Sequence, residues 1–155
     1  MRKLPYREGD LFALPLRDHG YAVGLVARSG PQGRVLFGYF FGRRYAQVPA
    51  LSHVPSFKPK DAILLGRFGD LNLINGEWRV LGQMTDWNRT IWTMPPFVRQ
   101  DPLTARTFQV VYSDDDPGTL VRETTLAADA DIEPRDSMAG AGAIEIKMTK
   151  LLTSA

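Results

Sequence analysis

Apolar residues alternate with polar or small ones along much of the chain, the period of strands that bury a face. Leu11–Leu16 puts Phe12, Leu14 and Leu16 on one side. Pro15 has no N–H and marks an edge strand or the strand's end. Tyr21–Arg28 puts Tyr21, Val23, Leu25 and Ala27 on one side, with Gly24 as a bulge, bend or close approach. Arg34–Phe41 is largely apolar on both faces, which predicts a central strand. Ala62–Phe68 follows, with Gly66 as a kink. Phe68–Gly82 reads as a β-hairpin. Two apolar runs flank Asn75-Gly76, a dipeptide that favours the type I′ turn, and Trp78 is the core anchor. Arg106–Tyr112 places Phe108, Val110 and Tyr112 on one face, Asp114–Gly118 is a turn, and Leu120–Leu126 pairs back. Ile144, Met148, Leu151 and Leu152 recur at helical spacing and predict a C-terminal helix over an open edge or end of the sheet. Ile144, Ile146 and Met148 also alternate, so a strand is the alternative there.

Three stretches break the pattern. Residues 43–60 hold Pro49, Pro55 and Pro59 and form a long connection, with a short helix around Ala46. Residues 83–105 hold Trp87, Trp92 and Phe97 in an irregular segment with one short strand. Residues 127–142 are small and acidic and read as an exposed loop. The links between strands are too short for crossover helices, so the strands are antiparallel. The expected fold is mainly β with a minor helical part: a strongly bent antiparallel sheet or small barrel with a C-terminal helix. Gly24, Gly38 and Gly66 supply the curvature. At 155 residues the chain reads as a single domain over 1–155.

Composition narrows the chemistry. The chain is 44% hydrophobic and 23% charged, as globular proteins are. It has no cysteine, which excludes disulfides, thiolate catalysis and cysteine-ligated zinc. Met1-Arg2-Lys3-Leu4-Pro5 runs straight into charged residues, with no secretory apolar stretch and no run of about 18 apolar residues. A cytoplasmic location without membrane contact is expected. The net charge of +2 hides an asymmetry: residues 1–112 carry 15 Lys+Arg and 8 Asp+Glu, residues 113–155 carry 4 and 9. Either the chain has two binding faces or its halves neutralise each other, and the second is the simpler reading.

Candidate chemistry is sparse. His19 and His53 lie in loops without partners at metal or base spacing. No cofactor or metal site is expected. Ala143-Ile144-Glu145-Ile146-Lys147 resembles the acidic-x-Lys segment of PD-(D/E)xK nucleases. Glu145 would hold Mg²⁺, Lys147 would stabilise the charge developing at phosphate, and Asp131 or Asp136 would be the upstream carboxylate. The helices that this nuclease fold needs around a mixed sheet are missing from the pattern. Arg43, Arg44 and Tyr45 with Lys58 and Lys60 would suit a nucleic-acid-binding barrel, but Asp61, Asp70 and Asp86 interrupt the positive regions. Trp87 and Trp92 are protein-binding anchors if exposed and core closure if buried. Asp114, Asp115, Asp116, Asp129, Asp131, Glu133 and Asp136 would make an acidic face for a basic partner.

Gly9-Asp10-Leu11-Phe12-Ala13-Leu14-Pro15-Leu16 with Gly20–Val26, then Asn75-Gly76-Glu77-Trp78-Arg79-Val80-Leu81-Gly82, then Gly142–Leu151, resemble the immunity protein 26 family of bacterial polymorphic-toxin systems. The shared residues are scaffold: turn glycines, a strand-opening Gly-Asp and a core tryptophan. The resemblance implies a small cytosolic antitoxin without catalysis that binds a toxin domain and blocks it. It carries over no functional residue set, and residues 43–60 and 83–105 match no family pattern, which makes them the place for partner specificity. From surface chemistry, the contact residues are Asp114, Asp115, Asp116, Asp129, Asp131 and Glu133 for a basic toxin. For any other toxin they are Arg43, Arg44, Tyr45, Trp87 and Trp92.

Overall fold

Eight strands form two antiparallel sheets in the computed structural model, which describes residues 3–126, 136 and 141–153. The strands are β1 (Asp10–Pro15), β2 (Tyr21–Ser29), β3 (Val35–Tyr45), β4 (Ala62–Gly69), β5 (Arg79–Gln83), β6 (Phe97–Gln100), β7 (Thr107–Ser113) and β8 (Asp116–Leu126). A single helical turn, α1 (Leu71–Ile74), precedes β5, and the C-terminal helix is α2 (Ala141–Thr153). The large sheet runs β4-β3-β2-β1-β5 and the small one β6-β7-β8. The large sheet is bent but does not close into a barrel. Pro15 ends β1, which lies inside the sheet between β2 and β5.

Alternation along β1–β3 gives the large sheet an apolar surface on each side. On one side Phe12, Leu14, Val26, Phe40, Phe68 and Trp78 pack with Ile144 and Met148 of α2. On the other, Leu11, Val23, Leu25, Phe37 and Phe41 pack with Trp92 and with Phe97 and Val110 of the small sheet. The result is three layers around two cores that share strands. Gly24 and Gly38 allow close approach: a Cβ on Gly24 would lie 2.5 Å from Phe12 Cζ, and one on Gly38 2.7 Å from Phe68 Cε1. Gly66 pairs in register with Gly38, and a Cβ there would meet nothing within 4 Å, so no close approach calls for glycine at that position.

The expected hairpin over 68–82 does not form. β4 and β5 lie at opposite edges of the large sheet. The Asp70 N–H donates to Arg34 O, and its carboxylate takes the Tyr6 hydroxyl and the Arg34 N–H. The Asp70 carbonyl then opens α1 by accepting from Leu73 and Ile74. A type I′ turn needs positive φ at both central residues, but Asn75 is right-handed at −88° and only Gly76 is left-handed, at +84°. The dipeptide therefore serves as a helix exit, with the Glu77 N–H donating to Asn75 Oδ1. Trp78 is the core anchor nonetheless, 1% exposed and stacked on Phe12 at 5.3 Å.

In the Pro-rich connection, β3 continues to Tyr45 where a helix was expected near Ala46, and the short helical turns lie at Leu51–His53 and Pro59–Asp61. Of the expected acidic loop, Asp136 is held between the sheets with its side chain 5% exposed, and Ala141 and Gly142 already belong to α2. No helix of the described residues is long and apolar enough to cross a membrane.

Candidate functional site

The charge asymmetry resolves into pairs that join the two ends of the chain. Arg17 meets Glu145, Arg28 and Arg89 meet Asp114, Arg67 meets Asp136, and Arg99 meets Glu123. The acidic candidates are spent accordingly. Asp114 sits between buried Arg28 (2.8 Å) and Arg89 (3.0 Å). Asp116 accepts the Gly118 N–H and the Thr119 hydroxyl and so shapes its own turn. Asp115 touches Arg89 at 3.3 Å but is 91% exposed. Asp129, Asp131 and Glu133 lie outside the described residues.

The basic candidates lie at the other end of β2, about 3.3 Å per residue and on the order of 20 Å away. The Arg43 guanidinium lies 5.2 Å from the Tyr45 ring centre and is exposed. Arg44 is engaged by Asp18 and the His19 carbonyl, both at 2.6 Å. That bond and the His19 N–H hold the Asp18 carboxyl down to about 2. The Tyr45 hydroxyl is buried without a hydrogen-bond partner among the described residues, and burial pushes its pKa up.

The acidic-x-Lys segment lies on α2 and acts as a latch. Glu145 accepts the Trp78 indole N–H at 2.8 Å and Arg17 Nε at 3.0 Å, while Thr149 Oγ1 accepts the Arg17 N–H. Lys147, two residues on, points about 200° round the helix and is exposed. Asp136 binds Arg67 on the opposite face of the large sheet from α2. Asp131 lies outside the described residues. Among the described residues no group of three or more acidic or histidine side chains is placed to hold a metal.

The unpatterned segments flagged in the sequence come together. Residues 51–58 and 84–92 flank a groove of about 230 Å³ on the outer side of the second core. Its floor is Leu11 and Trp92, and Phe57 and Met84 line its sides. Trp92 is 1% exposed, edge-on to Tyr39 and Phe41, so it closes the core and is not a surface anchor. Phe57 stacks on Phe41 at 3.9 Å, with the ring planes 1° apart. The rim carries the exposed polar and charged residues Ser56, Lys58, Thr85 and Asp86 together with the apolar Ile91, 54% exposed. Trp87 is half-buried beside the groove and covers the strand-opening Gly9-Asp10, where a Cβ on Gly9 would come 2.7 Å from Trp87 Cγ. Asp10 accepts the Arg7 N–H, and burial pushes its carboxyl up. Phe57, Lys58, Asp86 and Ile91 as a set were not marked by any sequence pattern. The usable signal was two proline-bearing connections that carry aromatic residues.

The family model described as Immunity protein 26 matches residues 7–109, more than half of the chain. The chain belongs to that family. Membership in the immunity protein 26 family suggests a toxin-neutralising, non-enzymatic role with a protein partner. The match takes in the Gly9-Asp10 strand opening, Trp78 and both groove segments, and it stops before β8 and α2, so the resemblance seen over Gly142–Leu151 lies beyond it. No curated protein and no solved structure matches the chain.

Proposed function

We propose that the protein is a cytosolic antitoxin that binds the toxin domain of a bacterial polymorphic-toxin system and blocks it sterically, without catalysis of its own. The family match over residues 7–109 carries this reading. The fate of the polar residues supports it: Glu145, Asp136, Asp114 and Arg28 hold layers of the fold together, which leaves recognition to the surface. Arg43, Asp115 and the half-buried Trp87 remain as contact residues. The nuclease alternative loses its metal-binding carboxylate to the α2 latch, and the nucleic-acid alternative loses Arg44 to Asp18.

The test is a co-expression rescue. The toxin domain encoded beside this gene is expressed in a bacterium with and without the protein, and the tagged protein is then used as bait. Restored growth together with a stable stoichiometric complex is the expected result. A failure to restore growth together with the absence of a complex would sink the proposal.

A further inference from the structure

We propose that the groove between residues 51–58 and 84–92 seats a single large apolar side chain of the toxin, flanked on the toxin by an acidic and a basic residue; this rests on the antitoxin reading above. The size decides between occupants. Sites for small molecules and cofactors usually enclose about 300–1,000 Å³, while this groove encloses about 230 Å³, which suits one aromatic or branched aliphatic side chain. The surface chemistry agrees. Leu11, Trp92 and Phe57 offer carbon, while the hydroxyl-bearing Ser56 and Thr85 are exposed, and the hydroxyl of Tyr39, whose ring abuts Trp92, is already bonded to Thr93 O.

The rim carries two charges of opposite sign, Lys58 and Asp86, and neither has an ion pair among the described residues. A partner segment with an acidic residue on one side of its anchor and a basic residue on the other meets both. An apolar pocket ringed by polar contacts is the arrangement in which one anchor residue dominates affinity, because the ring keeps water out. The groove is also built in advance. Stacking of Phe57 on Phe41 and the edge-on contacts of Trp92 hold floor and wall in place, so little ordering cost falls on binding.

The test uses the full chain and the same toxin domain. Ser56→Trp fills the mouth from an exposed position, Ile91→Asp charges the rim, and the pair Lys58→Glu and Asp86→Lys reverses its polarity. Toxin affinity is measured by calorimetry, with the thermal midpoint of each free variant recorded beside it. The expected result is a loss of about a hundredfold for Ser56→Trp or Ile91→Asp and about tenfold for the double reversal, with thermal midpoints unchanged. Wild-type binding with undiminished affinity in both Ser56→Trp and Ile91→Asp overturns the groove and leaves the antitoxin reading standing. Absence of binding and rescue by the wild-type chain overturns both.

Discussion

Trp78→Ala is expected to lower the free energy of unfolding by about 3–5 kcal/mol, the range for truncating a buried tryptophan. The indole is surrounded: it stacks on Phe12 with the ring planes 8° apart and lies 5.7 Å from Phe68 and 6.4 Å from Phe40, centre to centre. Its loss also reaches α2. Glu145 keeps Arg17 but loses the buried indole N–H, so a carboxylate in an apolar layer is left with one partner fewer. Trp78→Phe weights the two effects differently, because it retains most of the ring packing and removes the whole hydrogen bond to Glu145, at a cost of about 1–3 kcal/mol. Urea unfolding followed by circular dichroism reads both variants. A cost below about 1 kcal/mol for Trp78→Ala would show that Trp78 does not hold this core.

Arg67→Met is expected to cost a similar amount, about 3–5 kcal/mol, because it strands a buried carboxylate. Arg67 and Asp136 have side chains 9% and 5% exposed, and Arg67 reaches Asp136 Oδ1 through both Nε (3.0 Å) and Nη2 (2.8 Å). Arg67 also donates to Pro117 O and the Tyr112 hydroxyl, and it lies 3.7 Å from the Tyr112 ring centre. One ion pair therefore ties β4 to the small sheet and to the segment before α2. Adding Asp136→Leu to Arg67→Met should recover part of the loss, since an apolar pair of similar volume carries no desolvation cost. A double variant as unstable as the sum of the single ones would refute the coupling.

Tyr112 reports on the same cluster. Burial first, and then its hydrogen bond to Asp136, pushes its pKa up to about 12 from the usual 10. Between these values the unfolded chain gives up this proton and the folded chain keeps it. The contribution of Tyr112 to stability is thus complete below pH 10 and is lost as pH rises to about 12. Absorbance titration should show one tyrosine ionising near pH 12, and Asp136→Asn should bring it down.

The strand faces were legible because residues two apart share a side: Phe12 and Leu14 pack on one side of the large sheet and Val23 and Leu25 on the other. Val23 and Val26 both pack, on opposite sides, and central placement of β3 follows from the same pattern. The helix at the end was legible from Ile144 and Met148. Asn75-Gly76 misled because one dipeptide serves two geometries, and the helix exit is held by Asp70 and Arg34, a contact between residues 36 positions apart that no local pattern shows. Composition likewise marked 127–142 as solvent loop, and nothing local shows that Asp136 answers an arginine 69 positions earlier. For the candidate site, the two segments were readable as irregular, but their meeting over Trp92 was not, since it depends on how β1 and β3 place them.

The two cores share β1, β2 and β3, so losing those strands dismantles both cores at once. A ligand held on the outer side of the second core would then stabilise the strands on which helix α2 packs from the far side, without touching it. Binding free energy gained at residues 51–58 and 84–92 is added to the unfolding free energy of the whole sheet. The buried, paired backbone of Val23–Ala27 and Phe37–Phe41 would carry that gain, which makes amide protection a gauge of occupancy read far from the contact itself.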